Sequence, residues 1–179
     1  MHRLFVALRP PPPMRVQLVG LMGGGSGLRW QGDEQLHLTL RFIGEVDHHQ
    51  AEDIAAALGS IHAPPVTFAL RGAGLLDRRG VPDTLWAGVT PHDGLRLLAE
   101  RIGQALRRVG VPIESRAFLP HITVARLSRH AGPIDDILAR WSSLASSPVT
   151  VAHFGLYESS LGGEGARYEA IARYPLAST

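Results

Sequence analysis

The strongest constraint on this chain is a short pattern that occurs twice. His37-Leu38-Thr39-Leu40 and His121-Ile122-Thr123-Val124 both read His-x-Thr-x, with an aliphatic residue at each x. In a β-strand, alternate side chains share a face. Each segment therefore offers an imidazole and a hydroxyl on one side and two aliphatic anchors on the other. Strands of this kind need a sheet packed on one face and open on the other. Two of them across a groove set two histidines and two threonines around one small polar group. Histidine titrates near neutral pH, so the pair has the means to give and take protons. That geometry suits a phosphate ester, with a base on one side and an acid on the other.

The chain has 179 residues, 45% of them hydrophobic, enough for a sizeable core. It has no cysteine. This removes disulfides, thiolate metal ligands and a thiol nucleophile, and it fits a reducing cytoplasm, the expected compartment. The apolar part of MHRLFVALRPPPP is too short for a signal peptide and lacks a small-residue cleavage site. No apolar stretch approaches the roughly 20 residues of a spanning helix, so no membrane partner is expected. The formal charge of +2 permits a nucleic-acid partner without demanding one. The basic side chains are arginines, which favour bidentate phosphate contacts. No obligate protein partner is implied.

Periodicity predicts strands over 3–8, 35–43, 66–70, 84–90, 121–126, 149–159 and 168–174. It predicts helices over 14–22, 47–61, 94–109 and 133–141. In 35–43, strict alternation puts Leu36, Leu38, Leu40 and Phe42 on one face and His37, Thr39 and Arg41 on the other, with Gly44 as the stop. Between 70 and 84 a Gly- and Arg-rich loop is expected, and Gly162-Gly163 reads as a turn. The class is α+β. The motif histidines lie 84 residues apart, at 37 and 121. A single bilobal domain over 1–179 is therefore expected, with two pseudo-symmetric lobes that each supply one motif.

Other chemistry-bearing residues have plainer readings. His48-His49 after Asp47 is a helix start. His2, His62, His92, His130 and His153 lack ligand-like spacing and read as surface or loop residues. Trp30, Trp86 and Trp141 read as packing residues, Arg78-Arg79 as a solvated tip, and Phe118 as a candidate wall of the groove. Gly23-Gly24-Gly25 is not a phosphate loop, because no Lys-Ser/Thr follows.

The segments RLFVAL (3–8), LHLTLRFIGEV (36–46), LWAGV (85–89), RAFLPHITVAR (116–126) and ARYEAIARYPL (166–176) run nearly end to end. Together with the doubled motif they make the chain resemble the 2H phosphoesterases, and within them the RNA 2′,3′-cyclic phosphodiesterases of the bacterial and archaeal 2′-5′ RNA ligase type. The resemblance implies a bilobal fold whose two antiparallel sheets line a central groove, with helices packed outside. It implies metal-independent hydrolysis of RNA 2′,3′-cyclic phosphate ends to 2′-phosphates, with 2′-5′ ligation as the reverse, and no cofactor. It assigns His121 as the base for water and His37 as the acid for the leaving 3′ oxygen. Thr39 and Thr123 would hold the non-bridging oxygens, and Arg126 the phosphate or ribose. Strict alternation puts Arg126 on the opposite face from His121, so a twist must bring it round. Arg41 shares the face of His37, ~13 Å along the strand at ~3.3 Å per residue, within reach of an RNA chain. Two alternatives remain: a phosphodiesterase for a small cyclic nucleotide or ADP-ribose cyclic phosphate, and a non-catalytic RNA-binding module. The loop at 72–83 departs from the family's usual Phe-Pro pair, and such rim segments would choose among the substrates.

Overall fold

A computed structural model describes residues 1–163 and 165–178. Among them are nine strands and four helices. The strands are β1 (His2–Leu8), β2 (Leu28–Trp30), β3 (Leu38–Val46), β4 (Val66–Arg78), β5 (Val81–Thr90), β6 (His121–Leu127), β7 (Val149–Val151), β8 (His153–Gly162) and β9 (Gly165–Pro175). The helices are α1 (Pro12–Leu21), α2 (His48–Gly59), α3 (Asp93–Arg108) and α4 (Asp135–Ser142). The strands run antiparallel in one sheet, ordered β7-β4-β5-β6-β3-β1-β8-β9, and β2 pairs with β6 off this path. No described helix is long and apolar enough to cross a membrane.

The α+β class is as the periodicity implies, but the two expected sheets are one. The reason lies at the motifs. β3 and β6 pair directly through a single rung, Leu38 opposite Ile122. Both side chains are fully buried in the core that lies under the helices. Four strands of the path lie on either side of this rung, so two halves that sequence alone separates are stitched into one surface.

Each helix follows from local rules. Pro12 and Pro13 open α1, where missing N–H groups cost nothing, and Met14 and Leu18 bury one turn apart. Asp47 caps α2 by accepting from the Gln50 N–H at 2.8 Å. α3 is the most amphipathic, with Leu95, Leu98, Ala99, Ile102, Ala105 and Leu106 all buried. Asp93 sits in its first turn and Arg107 and Arg108 in its last, matching the helix dipole.

The 72–83 stretch is not the expected loop. β4 and β5 run on as a long hairpin that turns at Arg79-Gly80, both with positive φ (53° and 80°). This is the two-residue turn that matches strand twist. The 35–43 strand also shifts. It begins at Leu38 and passes through Gly44 to Val46, leaving His37 just ahead of it. Sequence reading missed β2 and a short 3-10 turn over Asp33–Gln35.

Candidate active site

The Leu38–Ile122 rung sets the site. Continuing its antiparallel register places His37 opposite Thr123 and Thr39 opposite His121. Each motif's histidine thus faces the other motif's threonine. The two histidines sit on a diagonal, where side-chain origins lie ~7 Å apart. The anchors Leu38, Leu40, Ile122 and Val124 are all at most 2% exposed on the packed face. The polar four turn to the open face. The motif strands are therefore not across a groove from one another. They are neighbours, and the groove is the concave side of their shared seam. A cavity of about 260 Å³ there is lined by His37, Thr39, His121, Thr123 and Arg126, with Gln31, Gln35, Leu76, Thr84 and Tyr168. All five expected site residues meet in it.

Two β-bulges decide which arginine joins them. On β6, Ala125 faces Leu85 while Thr123 faces Trp86, so Val124 is an extra residue. The alternation slips by one, and Arg126 lands on the face of His121 and Thr123. On β3, Arg41 faces Val6 while Thr39 faces Ala7, so Leu40 is extra. Here the slip sends Arg41 the other way. Its Nε donates to the Ala99 carbonyl on α3 at 2.9 Å, and it lies against Gly103, where any Cβ would crowd the guanidinium. The expected reach of Arg41 toward an RNA chain is therefore corrected. In exchange Phe42, expected in the core, stands 55% exposed on the groove face opposite Phe5.

The imidazoles are oriented alike. Nδ1 of His37 lies 2.7 Å from the Gln35 carbonyl, and Nδ1 of His121 lies 2.7 Å from the Leu119 carbonyl. A carbonyl only accepts, so each Nδ1 must carry the proton, and each Nε2 is left as the working atom. Their surroundings differ. The His37 ring is held between Phe5 and Tyr168, each 4.9 Å away centre to centre. Burial pushes its pKa down to about 4, against the Gln35 hydrogen bond, and the nearby Arg126 and Arg9 charges push the same way. At neutral pH that shift leaves His37 neutral. His121 lies beside Trp86, at 5.8 Å.

Arg126 is held at the head of a chain of polar groups. Its Nη1 donates to Thr84 Oγ1 at 2.8 Å, and the Thr84 hydroxyl donates to Asp83 at 2.9 Å. Thr84, only 2% exposed, is the buried polar residue of the core. Sequence reading missed Thr84, Tyr168, Phe5 and Gln35. Gln35 also ties the 3-10 turn to β9 through the Ala166 carbonyl. Its only signal was its place two residues before a motif histidine. Phe118 does line a hollow next to His121, with Phe42 and Leu76. Trp30 stacks on buried Trp141, as packing residues do. His153, read as a surface residue, lines a cavity that His37 also borders. Among the described residues, no group of three His, Cys, Asp or Glu side chains is placed to hold a metal.

Comparison with known proteins finds relatives over nearly the whole chain. The family profile described as LigT like phosphoesterase matches residues 8–86 and again 88–168. An RNA 2′,3′-cyclic phosphodiesterase of Escherichia coli is 32% identical, over 98% of this chain and 97% of its own. One from Thermotoga maritima is also 32% identical, over 94% and 92%. The crystal structure of Escherichia coli LigT in apo form superposes with a TM-score of 0.79 at 29% identity, covering 99% of this chain and 98% of that one. LigT has also been solved with 3′-AMP.

Proposed function

This chain belongs to the LigT like phosphoesterase family, and from that premise we propose that it is an RNA 2′,3′-cyclic phosphodiesterase. It opens the cyclic phosphate at an RNA 3′ end to leave a 2′-phosphate, in the cytoplasm, and its reverse reaction is 2′-5′ ligation. The observation that carries this reading is the crosswise square of His37, Thr123, His121 and Thr39 around one small cavity. The relatives' names and the nucleotide bound by LigT point the same way. Two successive matches to one profile, each with one His-x-Thr, support a single domain of two related lobes.

With the cyclic phosphate in the cavity, His121 Nε2 takes a proton from water as the water oxygen bonds to phosphorus. The P–O3′ bond breaks, and His37 Nε2 delivers a proton to O3′. His121 ends charged and His37 neutral, and exchange with solvent resets them. Thr39 and Thr123 donate to the non-bridging oxygens, and Arg126 balances the charge that builds on them. The low pKa of His37 sets a condition: its proton returns with the anionic substrate, whose charge favours imidazolium.

The test is product analysis on an oligonucleotide ending in a 2′,3′-cyclic phosphate. Expected is a 2′-phosphate end, and His37→Gln and His121→Gln each lower kcat by about 10²–10⁴ with an unchanged circular dichroism spectrum. Near-normal turnover in either variant removes the acid–base pair. A 3′-phosphate product reverses the bond assignment.

A further inference from the structure

A second, larger cavity of about 580 Å³ adjoins the catalytic one, and the mechanism leaves it unused. The two share His37 and Tyr168, so the half-buried imidazole is a wall of both. The cavity wall is also cationic. Arg9, Arg15 and Arg173 line it, with Glu34 as the acidic lining residue. Arg9 and Arg15 both lean on one carboxylate, Asp33, at 3.3 and 3.0 Å. Three guanidinium groups against the two carboxylates of Asp33 and Glu34 leave one positive charge over. Arg173 has no carboxylate within 4 Å among the described residues, and its nearest polar partner is the His153 ring at 3.5 Å.

These cations are set before any ligand arrives. Arg9 Nη1 donates to the Asp33 and Leu36 carbonyls at 2.6 and 2.7 Å, and Arg15 Nη1 to the Pro10 carbonyl at 2.6 Å. A fixed donor loses little entropy on binding. Burial, followed by the neighbouring Arg15 charge, lowers the Arg9 pKa despite Asp33. An anion in the cavity would relieve that crowding. Beside His37 lies an aromatic floor, Tyr157 stacked on Phe5 at 5.5 Å. Cations, an aromatic floor and the His37 wall in one cavity are the groups that a nucleotide carrying two phosphates would use.

The geometry points to a second phosphate subsite in this cavity, taking the phosphate on O5′ of the same nucleotide whose cyclic phosphate lies between His37 and His121. That group is an internucleotide diester in RNA or a free 5′-monophosphate in a mononucleotide. Both present at least two non-bridging anionic oxygens to Arg15 and Arg173. The inference rests on the proposed function for the position of the cyclic phosphate. It adds that a 5′-phosphorylated substrate is favoured over a bare nucleoside cyclic phosphate.

Equilibrium binding of two product-like probes tests it without turnover: a nucleoside 2′-phosphate and the corresponding 2′,5′-bisphosphate. The bisphosphate is expected to bind at least about tenfold tighter, the return on one charge-assisted contact. Arg173→Gln and Arg15→Gln should each erase that gain while leaving the affinity for the 2′-phosphate in place. Arg173 is exposed and its side chain bonds only to His153 among the described residues, so its variant keeps the fold even where Arg15→Gln loosens the 3-10 turn. Equal affinities in the native protein, or a gain that survives both substitutions, overturns the subsite. Turnover of a nucleoside 2′,3′-cyclic phosphate is read in parallel. Its absence counts against the proposed function, whereas the binding difference reports on the subsite alone. A dinucleotide cyclic phosphate in the same assay separates the diester from the monoester.

Discussion

His37 carries the most telling chemistry of any single residue. Its ring is closed in by Phe5 and Tyr168, and its pKa falls to about 4 mainly for that reason. The limb on the acid side of a kcat/KM–pH profile reports the free enzyme, so its midpoint is expected near pH 4. Tyr168→Ala admits water and should move that midpoint up toward the ordinary value. A limb that stays put in the variant would show that the aromatic cover is not the cause. The sign for stability follows from the same shift. Between about pH 6.5 and 4 the unfolded chain binds the proton that the folded chain refuses. Stability therefore drops as pH falls through that window, by about 2–3 kcal/mol at pH 4.5. His37→Gln should remove that part of the acid sensitivity in denaturant titrations at pH 7 and 4.5. Thr84 is the other residue of consequence. Thr84→Val takes away the acceptor of Arg126 Nη1 and should lower kcat/KM about 10–100-fold, the cost of a hydrogen bond to a charged group. Thr84→Ser should restore it. Sequence alone brought forward the two histidines and two threonines through the doubled motif, and Arg126 through the family resemblance. Thr84 and Tyr168 lie on other strands, and only the pairing of those strands delivers them.

At the level of elements, the extra residues Leu40 and Val124 account for what strict alternation could not read. A bulge leaves no mark in a hydrophobic pattern as short as these. Arg41 and Phe42 therefore exchange places relative to the simple reading, and Arg126 arrives on the catalytic face. The helices were plain from periodicity, since their buried stripes repeat over several turns. The long β4–β5 hairpin was not, because glycines and arginines at its tip look like loop. The seam between β3 and β6 gives the sharpest test of an element. Leu38→Ala should cost about 2–5 kcal/mol of stability, as buried leucine truncations do. Leu40→Ala, equally buried but off the rung, should cost a similar amount. Only the former should also depress kcat at temperatures where both variants are folded. Equal effects on kcat would mean that the rung does not set the histidine spacing.

Over the whole molecule, one antiparallel sheet folds its concave side around the catalytic cavity, the cationic cavity and an apolar hollow at Phe42 and Phe118. The proposed mechanism draws its donors and protons from side chains alone, and none of the described residues groups into a three-ligand cluster. Turnover is therefore expected to survive exhaustive treatment with EDTA. Inhibition that a divalent ion reverses would require ligands beyond those seen. The doubled motif already implied that two halves of the chain cooperate. That they do so within one continuous sheet was hidden, because a single rung contributes only two residues to the pattern.

That rung has a consequence for how the protein would fail. Leu38 and Ile122 join the two halves at the same spot where the imidazoles must keep their spacing. Loosening of that rung on warming would disturb their spacing before a helix melts. Loss of function would then precede loss of structure, and a thermal inactivation curve would run ahead of the unfolding curve by the looseness of one leucine–isoleucine contact.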